Sequence, residues 1–229
     1  MECYSKSTEP DAAAVVLELL QELQKKHETT NDPNLMPNAR TYTMAILALA
    51  RCPQNGNAKR ARDLLIQLNE LYKKTKDESL KPNAYTYNYV LNCAANTVGT
   101  KEDKISAFQV AAKTYHEMRG VSYIDADSFT YGFWIKACNN LLPPSTDLYE
   151  KFVVLAFEEC QKGGLVNQEV LTRLQQGHLS KERLSEIFKV KMSFQSRISV
   201  EDIPPAWSRN SIQDKPNRAN KKPFKEVSK

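Results

Sequence analysis

A Thr-Tyr pair recurs three times in this 229-residue chain, and successive pairs are almost equally spaced. The pairs are Thr41-Tyr42, Thr86-Tyr87 and Thr130-Tyr131, which lie 45 and 44 residues apart. Their surroundings repeat as well, because PNARTYTMAIL, PNAYTYNYVLN and ADSFTYGFWIK share a polar starting residue and an apolar run after the pair. Self-similarity at a fixed period indicates a repeat architecture, in which each unit buries its apolar face against its neighbours.

Each of the three segments carries apolar residues at the spacing of one face of an α-helix. Each also begins with Asn38, Asn83 or Asp127, whose side chains are suited to cap the free backbone N–H groups of a helix start. We therefore predict three helices with these N-caps. Their tyrosines are expected in the core, together with the apolar residues that share their helix face: Tyr42 with Ile46 and Leu49, Tyr87 with Leu91 and Ala94, and Tyr131 with Ile135 and Cys138.

A breaker rich in Gly, Pro or Asn follows each of these helices, and a second amphipathic segment follows each breaker. Residues 12–26 have the pattern of a second helix without a first partner, and 167–176 and 180–192 form a shorter terminal pair. The chain is therefore predicted to be all-α, a right-handed superhelical solenoid of antiparallel helix pairs. The second helices of the three pairs are predicted at 58–74, 104–118 and 147–162.

The predicted domain organisation is a helical-repeat domain over 10–192 and a basic, disordered tail over 193–229. The net charge of +5 comes from the end of this tail, because 205–229 holds seven basic residues against two acidic ones. Residues 1–204 hold 25 of each sign, so net charge alone does not indicate a nucleic-acid partner. The segment PPAWSRN in the tail is a candidate to dock on the domain. Within the domain a half repeat comes first and a helical cap last, and the three full repeats lie near 39–83, 84–127 and 128–167.

No pattern in the sequence indicates catalysis, a cofactor or a metal site. The five cysteines are scattered and form no CxxC pair, which argues against a zinc site and a disulfide framework. Cys52, Cys93 and Cys138 follow apolar helical runs and are predicted to be buried thiols. No apolar stretch approaches the ~18 residues that a membrane span requires. We therefore predict a protein that is not an enzyme and has no membrane partner.

The segment KPNAYTYNYVLNCA resembles the opening helix of a pentatricopeptide repeat, in which Lys-Pro-Asp precedes Val-Thr-Tyr-Asn and an apolar pair. The segments ARDLLIQL and AAKTYHEM resemble the Ala-rich second helix of that family. The resemblance covers about three and a half repeats, although these repeats are longer than the family's because of turns such as KTKDESLKPN. The positions that match or nearly match are Lys81, Pro82, Asn83, Thr86, Tyr87, Asn88, Val90 and Leu91.

Resemblance to this family implies single-stranded RNA binding, with one base recognised per helix pair by two side chains. In the family these are the residue directly after the Tyr and the last residue of the repeat. On this chain they pair Thr43 with Asn83, Asn88 with Asp127, and Gly132 with Asn167. By the family's correspondence the first pair favours adenine and the second uracil, whereas Gly132 lacks a side chain and leaves the third pair degraded. The base-stacking positions of the family are occupied here by Arg40, Tyr85 and Phe129.

The resemblance further implies an RNA-binding adaptor in transcript processing, stability or translation, located in a mitochondrion or plastid. The N-terminal residues show no targeting pattern, so the compartment is left open between an organelle, the cytoplasm and the nucleus.

An alternative function is a protein-interaction scaffold. Helix capping by itself explains Asn83 and Asp127, and the neutral repeat region lacks the excess of Lys and Arg that a phosphate-binding groove usually carries. RNA binding instead predicts that Tyr85 and Asn88 face outward and that cations such as Arg40 and Lys136 line the same face.

Overall fold

The computed structural model describes residues 1–7, 9, 11–144, 146–189 and 197–211. All regular secondary structure in these ranges is helical, and the helices pack against one another. The all-α class predicted from the sequence is therefore confirmed. The described α-helices are α1 (Glu2–Ser5), α2 (Ala12–Thr30), α3 (Ala39–Arg51), α4 (Asn57–Thr75), α5 (Ala84–Ala95), α6 (Lys101–Arg119), α7 (Ser128–Leu141), α8 (Asp147–Gly163), α9 (Gln168–Gln175) and α10 (Lys181–Phe188).

The predicted N-caps are confirmed at α3, α5 and α7. The side-chain oxygens of Asn38, Asn83 and Asp127 each accept a hydrogen bond from the backbone N–H of the Thr three residues later, at 3.0, 3.2 and 2.8 Å. That Thr hydroxyl in turn accepts from the backbone N–H of the cap, which completes a capping box. The role of the Thr in each Thr-Tyr pair is therefore to help start the helix.

The Tyr of each pair lies in the core, as the helical spacing predicts. Tyr42, Tyr87 and Tyr131 are all buried, with no more than 8% of their surface exposed. The thiols of Cys52, Cys93 and Cys138 are buried and free, which is also as predicted.

The first helices of successive pairs form one row, in which α5 packs between α3 and α7, and α7 packs on α9. Two asparagine side chains connect this row near its helix C-termini. Asn96 Nδ2 donates to the Ala50 carbonyl of α3, and Asn140 Nδ2 donates to the Ala95 carbonyl of α5, both at 2.8 Å. Both bonds satisfy a carbonyl at the C-terminal end of the preceding helix, where no partner exists within that helix, and they hold adjacent helices in equivalent registers.

A shared turn lengthens the connections before α3 and before α5. The segments 30–38 and 75–83 both follow the pattern Thr-x-Asp-x-x-Leu-x-Pro-Asn. In each, the helix ends on a left-handed residue, Asn31 or Lys76, and the next Asp caps a short 3-10 turn. This extra turn lies between a second helix and the following first helix.

Part of the predicted tail is packed rather than disordered. Ile198 and Ile203 are buried, and the Val166 N–H donates to the Trp207 carbonyl at 2.8 Å. The docking of PPAWSRN (204–210) is as predicted, since Asn210 N–H also donates to the Gly164 carbonyl at 2.8 Å. The disorder predicted for 197–203 was wrong, because composition alone does not show that its few apolar residues meet an open end of the helical row. The rest of the predicted tail, 193–196 and 212–229, lies outside the described residues, as does the end of the helix predicted at 180–192.

Candidate nucleic-acid interface

The predicted base-recognition residues lie at the junctions between adjacent first helices. At the first junction, the Thr43 hydroxyl lies 2.8 Å from the Thr86 hydroxyl of the next helix. Thr86 Oγ1 also accepts from the Asn83 backbone N–H at 3.5 Å, so Thr86 connects the two members of the predicted pair. Thr43 Oγ1 also donates to the Ala39 carbonyl at 2.7 Å. Since a hydroxyl carries a single hydrogen, Thr43 accepts from Thr86 in this arrangement.

The second junction brings its predicted pair into direct contact. Asn88 Nδ2 donates to Asp127 Oδ1 at 3.0 Å, while Thr130 Oγ1 donates to Asn88 Oδ1 at 2.8 Å. Asn88 is only 1% exposed, so the expectation that it faces outward was wrong. Its side chain points into the packed junction because the Asp127 cap and the Thr130 hydroxyl satisfy both ends of its amide.

The third junction lacks this polar connection. Val170 takes the place of the Thr, and a Cβ on Gly132 would meet the Val170 side chain at 3.9 Å. Asn167 accepts from the Val170 N–H at 2.9 Å and is 3% exposed, so it acts as the N-cap of α9. Gly132 and Asn167 share no hydrogen bond among the described atoms. At this junction α7 therefore offers no side chain at Gly132, and α9 offers no hydroxyl at Val170.

Two of the predicted stacking residues belong to aromatic pairs. Tyr85 is 56% exposed, and its ring centroid lies 6.5 Å from that of Tyr89. Phe129 and Phe133 form the equivalent pair on α7, with ring centroids 6.2 Å apart. Sequence reasoning missed Tyr89 and Phe133. Their spacing of four residues from the predicted positions was the available signal, because residues i and i+4 share a helix face.

The third predicted stacking residue, Arg40, is engaged by the N-terminal segment. Its guanidinium lies 3.0 Å from the Glu2 carboxylate of α1. Farther along α3, the Arg51 guanidinium donates to the Lys6 carbonyl at 2.6 Å. The residues before α2 therefore bind both arginines of the α3 surface.

A groove of about 710 Å³ lies at the C-terminal ends of α5, α7 and α9. Lys104, Lys136 and Arg173 line it, and no carboxylate residue does. The Lys136 ammonium donates to Asn92 Oδ1 at 3.1 Å and to Asn96 Oδ1 at 2.5 Å. Burial and the nearby Arg173 guanidinium lower the pKa of Lys136 below its usual value. From the sequence, Lys136 was expected only as one of the cations that line the RNA-binding face.

A second cavity of about 730 Å³ adjoins this groove, because Asn96 and Val98 line both. Its other lining residues include Tyr89, Phe133 and Arg51. The aromatic side chains of the second cavity therefore lie next to the cationic groove, on the same row of helices.

Within the described ranges, no three His, Cys, Asp or Glu side chains are grouped closely enough to hold a metal ion. In the same part of the chain, no helix combines the length and apolar character needed to cross a membrane. No family model, curated protein or solved structure matches this chain.

Proposed function

We propose that this protein is a sequence-selective single-stranded RNA-binding adaptor. It is built as a right-handed superhelical solenoid of pentatricopeptide-like helix pairs, with one base held per pair. It acts in processing, stability or translation of transcripts in a mitochondrion or plastid, the compartments that the family resemblance implies. It requires no cofactor and performs no catalysis of its own.

The observation that carries the proposal is the row of aromatic side chains beside the cationic groove, in which Tyr85 is exposed and the others are half-buried. The Tyr85–Tyr89 and Phe129–Phe133 pairs occupy the same positions on two adjacent first helices. Stacking on such rings tolerates any base and contributes about 1–3 kcal/mol per base. Lys136 follows Phe133 by three residues, which places a cation next to the stacking surface on one helix face.

Base selection by the second junction requires hydrogen-bonding capacity that its internal bonds do not consume. An amide has two N–H donors and two acceptor lone pairs, and Asn88 uses one of each with Asp127 and Thr130. The remaining donor and acceptor are those that a uracil edge would need. Because Asn88 is buried, we propose that base contact requires a shift at this junction, and that stacking precedes recognition.

A second candidate function is a protein-interaction scaffold, and the burial of Asn88 favours it. Exposed apolar side chains on the second helices point the same way, since Ile66, Leu148 and Leu155 expose between 39% and 52% of their surface. Such aliphatic residues contribute to protein contacts and offer neither an aromatic ring nor a guanidinium plane for a base to stack on.

Fluorescence polarisation with labelled oligouridylate and oligoadenylate at low salt tests the proposal. We expect binding, and we expect the double variant Tyr85→Ala/Tyr89→Ala to weaken it at least tenfold, because about 1.4 kcal/mol corresponds to a factor of ten. Leu155→Ala removes an exposed apolar side chain from α8 and is the matched control, with affinity unchanged. Absence of RNA binding by the unaltered chain at low salt would contradict the proposal and leave the scaffold function.

A further inference from the structure

The groove at the ends of α5, α7 and α9 has an excess of positive charge. Three cations line it. The Glu169 carboxylate forms an ion pair with Arg173, and its charge also acts on Lys136. Lys104 and Lys136 form no ion pair with any residue that the structure describes. The groove therefore carries uncompensated positive charge.

Lys136 is half-buried, and neutral groups hold its ammonium in place. The two oxygens that accept from it belong to Asn92 and Asn96 of α5. An ammonium has three hydrogens, so one remains for a further acceptor. Asn96 is itself held by its bond to the Ala50 carbonyl, which fixes its oxygen against Lys136.

Connection of α7 to α5 does not by itself explain this lysine. A neutral amide donor such as Gln could bond Asn92 or Asn96 without placing a charge in a partly desolvated position. Removing a charge from water costs free energy unless an opposite charge compensates it. A positive group held without a carboxylate partner, near a second cation, is the arrangement expected where a mobile anion binds.

The other two cations that line the groove differ in how firmly their side chains are held. Arg173 is oriented by its bond from Nε to the Glu169 carboxylate at 2.8 Å. Lys104, at the start of α6, also lines the groove and forms no ion pair with any described residue. A phosphate group accepts readily from both ammonium and guanidinium groups.

We propose that Lys136, with Lys104 and Arg173, binds a phosphate group. This inference rests on the proposed function for the source of the phosphate, which is then the RNA backbone. The bases would stack on Tyr89 and Phe133 in the adjoining cavity, and the phosphate that joins them would lie beside Asn92 and Lys136. Contacts to backbone phosphate position a nucleic acid and carry no sequence information.

The salt dependence of RNA affinity tests this assignment. Each phosphate contact contributes about 0.7 to the slope of log affinity against log salt for single strands. Lys136→Gln is expected to reduce the slope by about that amount and to weaken oligouridylate and oligoadenylate equally. Lys136→Arg retains the charge and is expected to retain the slope. Lys113→Gln removes an exposed lysine from α6 and is the control, with no change.

A second measurement separates this site from RNA binding as a whole. Inorganic pyrophosphate is titrated into the labelled chain, and backbone amide NMR signals near Lys136 are followed. Shifts that vanish in Lys136→Gln support the site, even where the unaltered chain binds no RNA and the proposed function fails. RNA binding with an unchanged slope in Lys136→Gln, or no shift with pyrophosphate and no RNA binding, overturns it. Circular dichroism of each variant verifies that the helices remain intact.

Discussion

The hydroxyl of Thr130 lies 2.8 Å from Oδ1 of Asn88, and this contact joins α7 to α5 inside a buried junction. Thr130 belongs to a capping box, so the residue that starts α7 also orients the amide of α5. Helix initiation and repeat stacking are therefore coupled through one side chain. The equivalent contact between Thr43 and Thr86 joins α3 to α5 in the same way.

Thr130→Val should destabilise the fold by about 1–3 kcal/mol, because it leaves buried polar atoms of Asn88 and the Asp127 N–H without their partner. Urea unfolding followed by circular dichroism measures the change. Thr130→Ser retains the hydroxyl and should cost less than half as much. A loss in Thr130→Val no larger than the loss in Thr130→Ser, which removes only the methyl group, would contradict the expected dominance of the hydroxyl's hydrogen bonds.

Gly132→Ala should raise the free energy of unfolding by about 0.5–1 kcal/mol, since Gly in a helix interior is unfavourable relative to Ala by that amount. The added Cβ would meet only Val170 and Glu169 carbon atoms, at 3.9 and 4.0 Å. Thermal and urea unfolding check the result. Gly164→Ala is the contrasting variant, because Gly164 has φ +69° and an added Cβ would lie 2.7 Å from Arg209 Cγ. It should destabilise, and stabilisation by both variants would refute the steric argument.

Glu117→Ala should cost about 2–3 kcal/mol, because it leaves the Arg62 guanidinium with little solvent and no carboxylate. Glu117 also accepts from Asn69 and from the Tyr87 hydroxyl, at 3.1 and 3.2 Å. Glu117→Gln preserves acceptors for these two groups and should lose less. Glu158→Ala, on the exposed face of α8, is the control with a change within about 0.5 kcal/mol. Equal stability of Glu117→Ala and the control would show that the ion pair contributes nothing.

Alkaline pH should unfold the protein gradually. Burial raises the pKa of the Tyr87 phenol to about 12 and that of the Cys93 thiol to about 12, from ordinary values of 10.0 and 9.0. The unfolded chain loses these protons more readily, so the stability is fully present below about pH 9 and decreases as the pH rises towards 12.

Urea midpoints measured across this pH range test the effect. Tyr87→Phe removes one of the titrating groups and should flatten the loss between pH 10 and 12. Tyr85→Phe removes an exposed hydroxyl and should follow the profile of the unaltered chain. A profile for Tyr87→Phe that is as steep as that of the unaltered chain would assign the loss to other groups.

Local sequence patterns were sufficient for the helices and their starts. Asn38, Asn83 and Asp127 cap through bonds to residues three positions away, and the tyrosines follow the helical period. The turn at KTKDESLKPN was visible in the sequence, and the second occurrence of Thr-x-Asp-x-x-Leu-x-Pro-Asn at 30–38 was the available signal for its counterpart before α3. Docking of PPAWSRN was predicted from the sequence, whereas the packing of 197–203 could not be derived from composition, because it depends on which apolar surface the last helices leave uncovered.

The sequence by itself determined the all-α class, the N-caps and the buried face of each first helix, because these depend on side chains within one or two turns of one another. Only the tertiary structure decided the environment of Asn88 and Lys136. Asn88 turns inward because α7 brings Asp127 and Thr130 against it, and Lys136 meets Asn92 and Asn96 because α5 and α7 pack side by side. Contacts between residues about 40 positions apart depend on how helices stack, and helical periodicity within one segment carries no information about the partner across the junction.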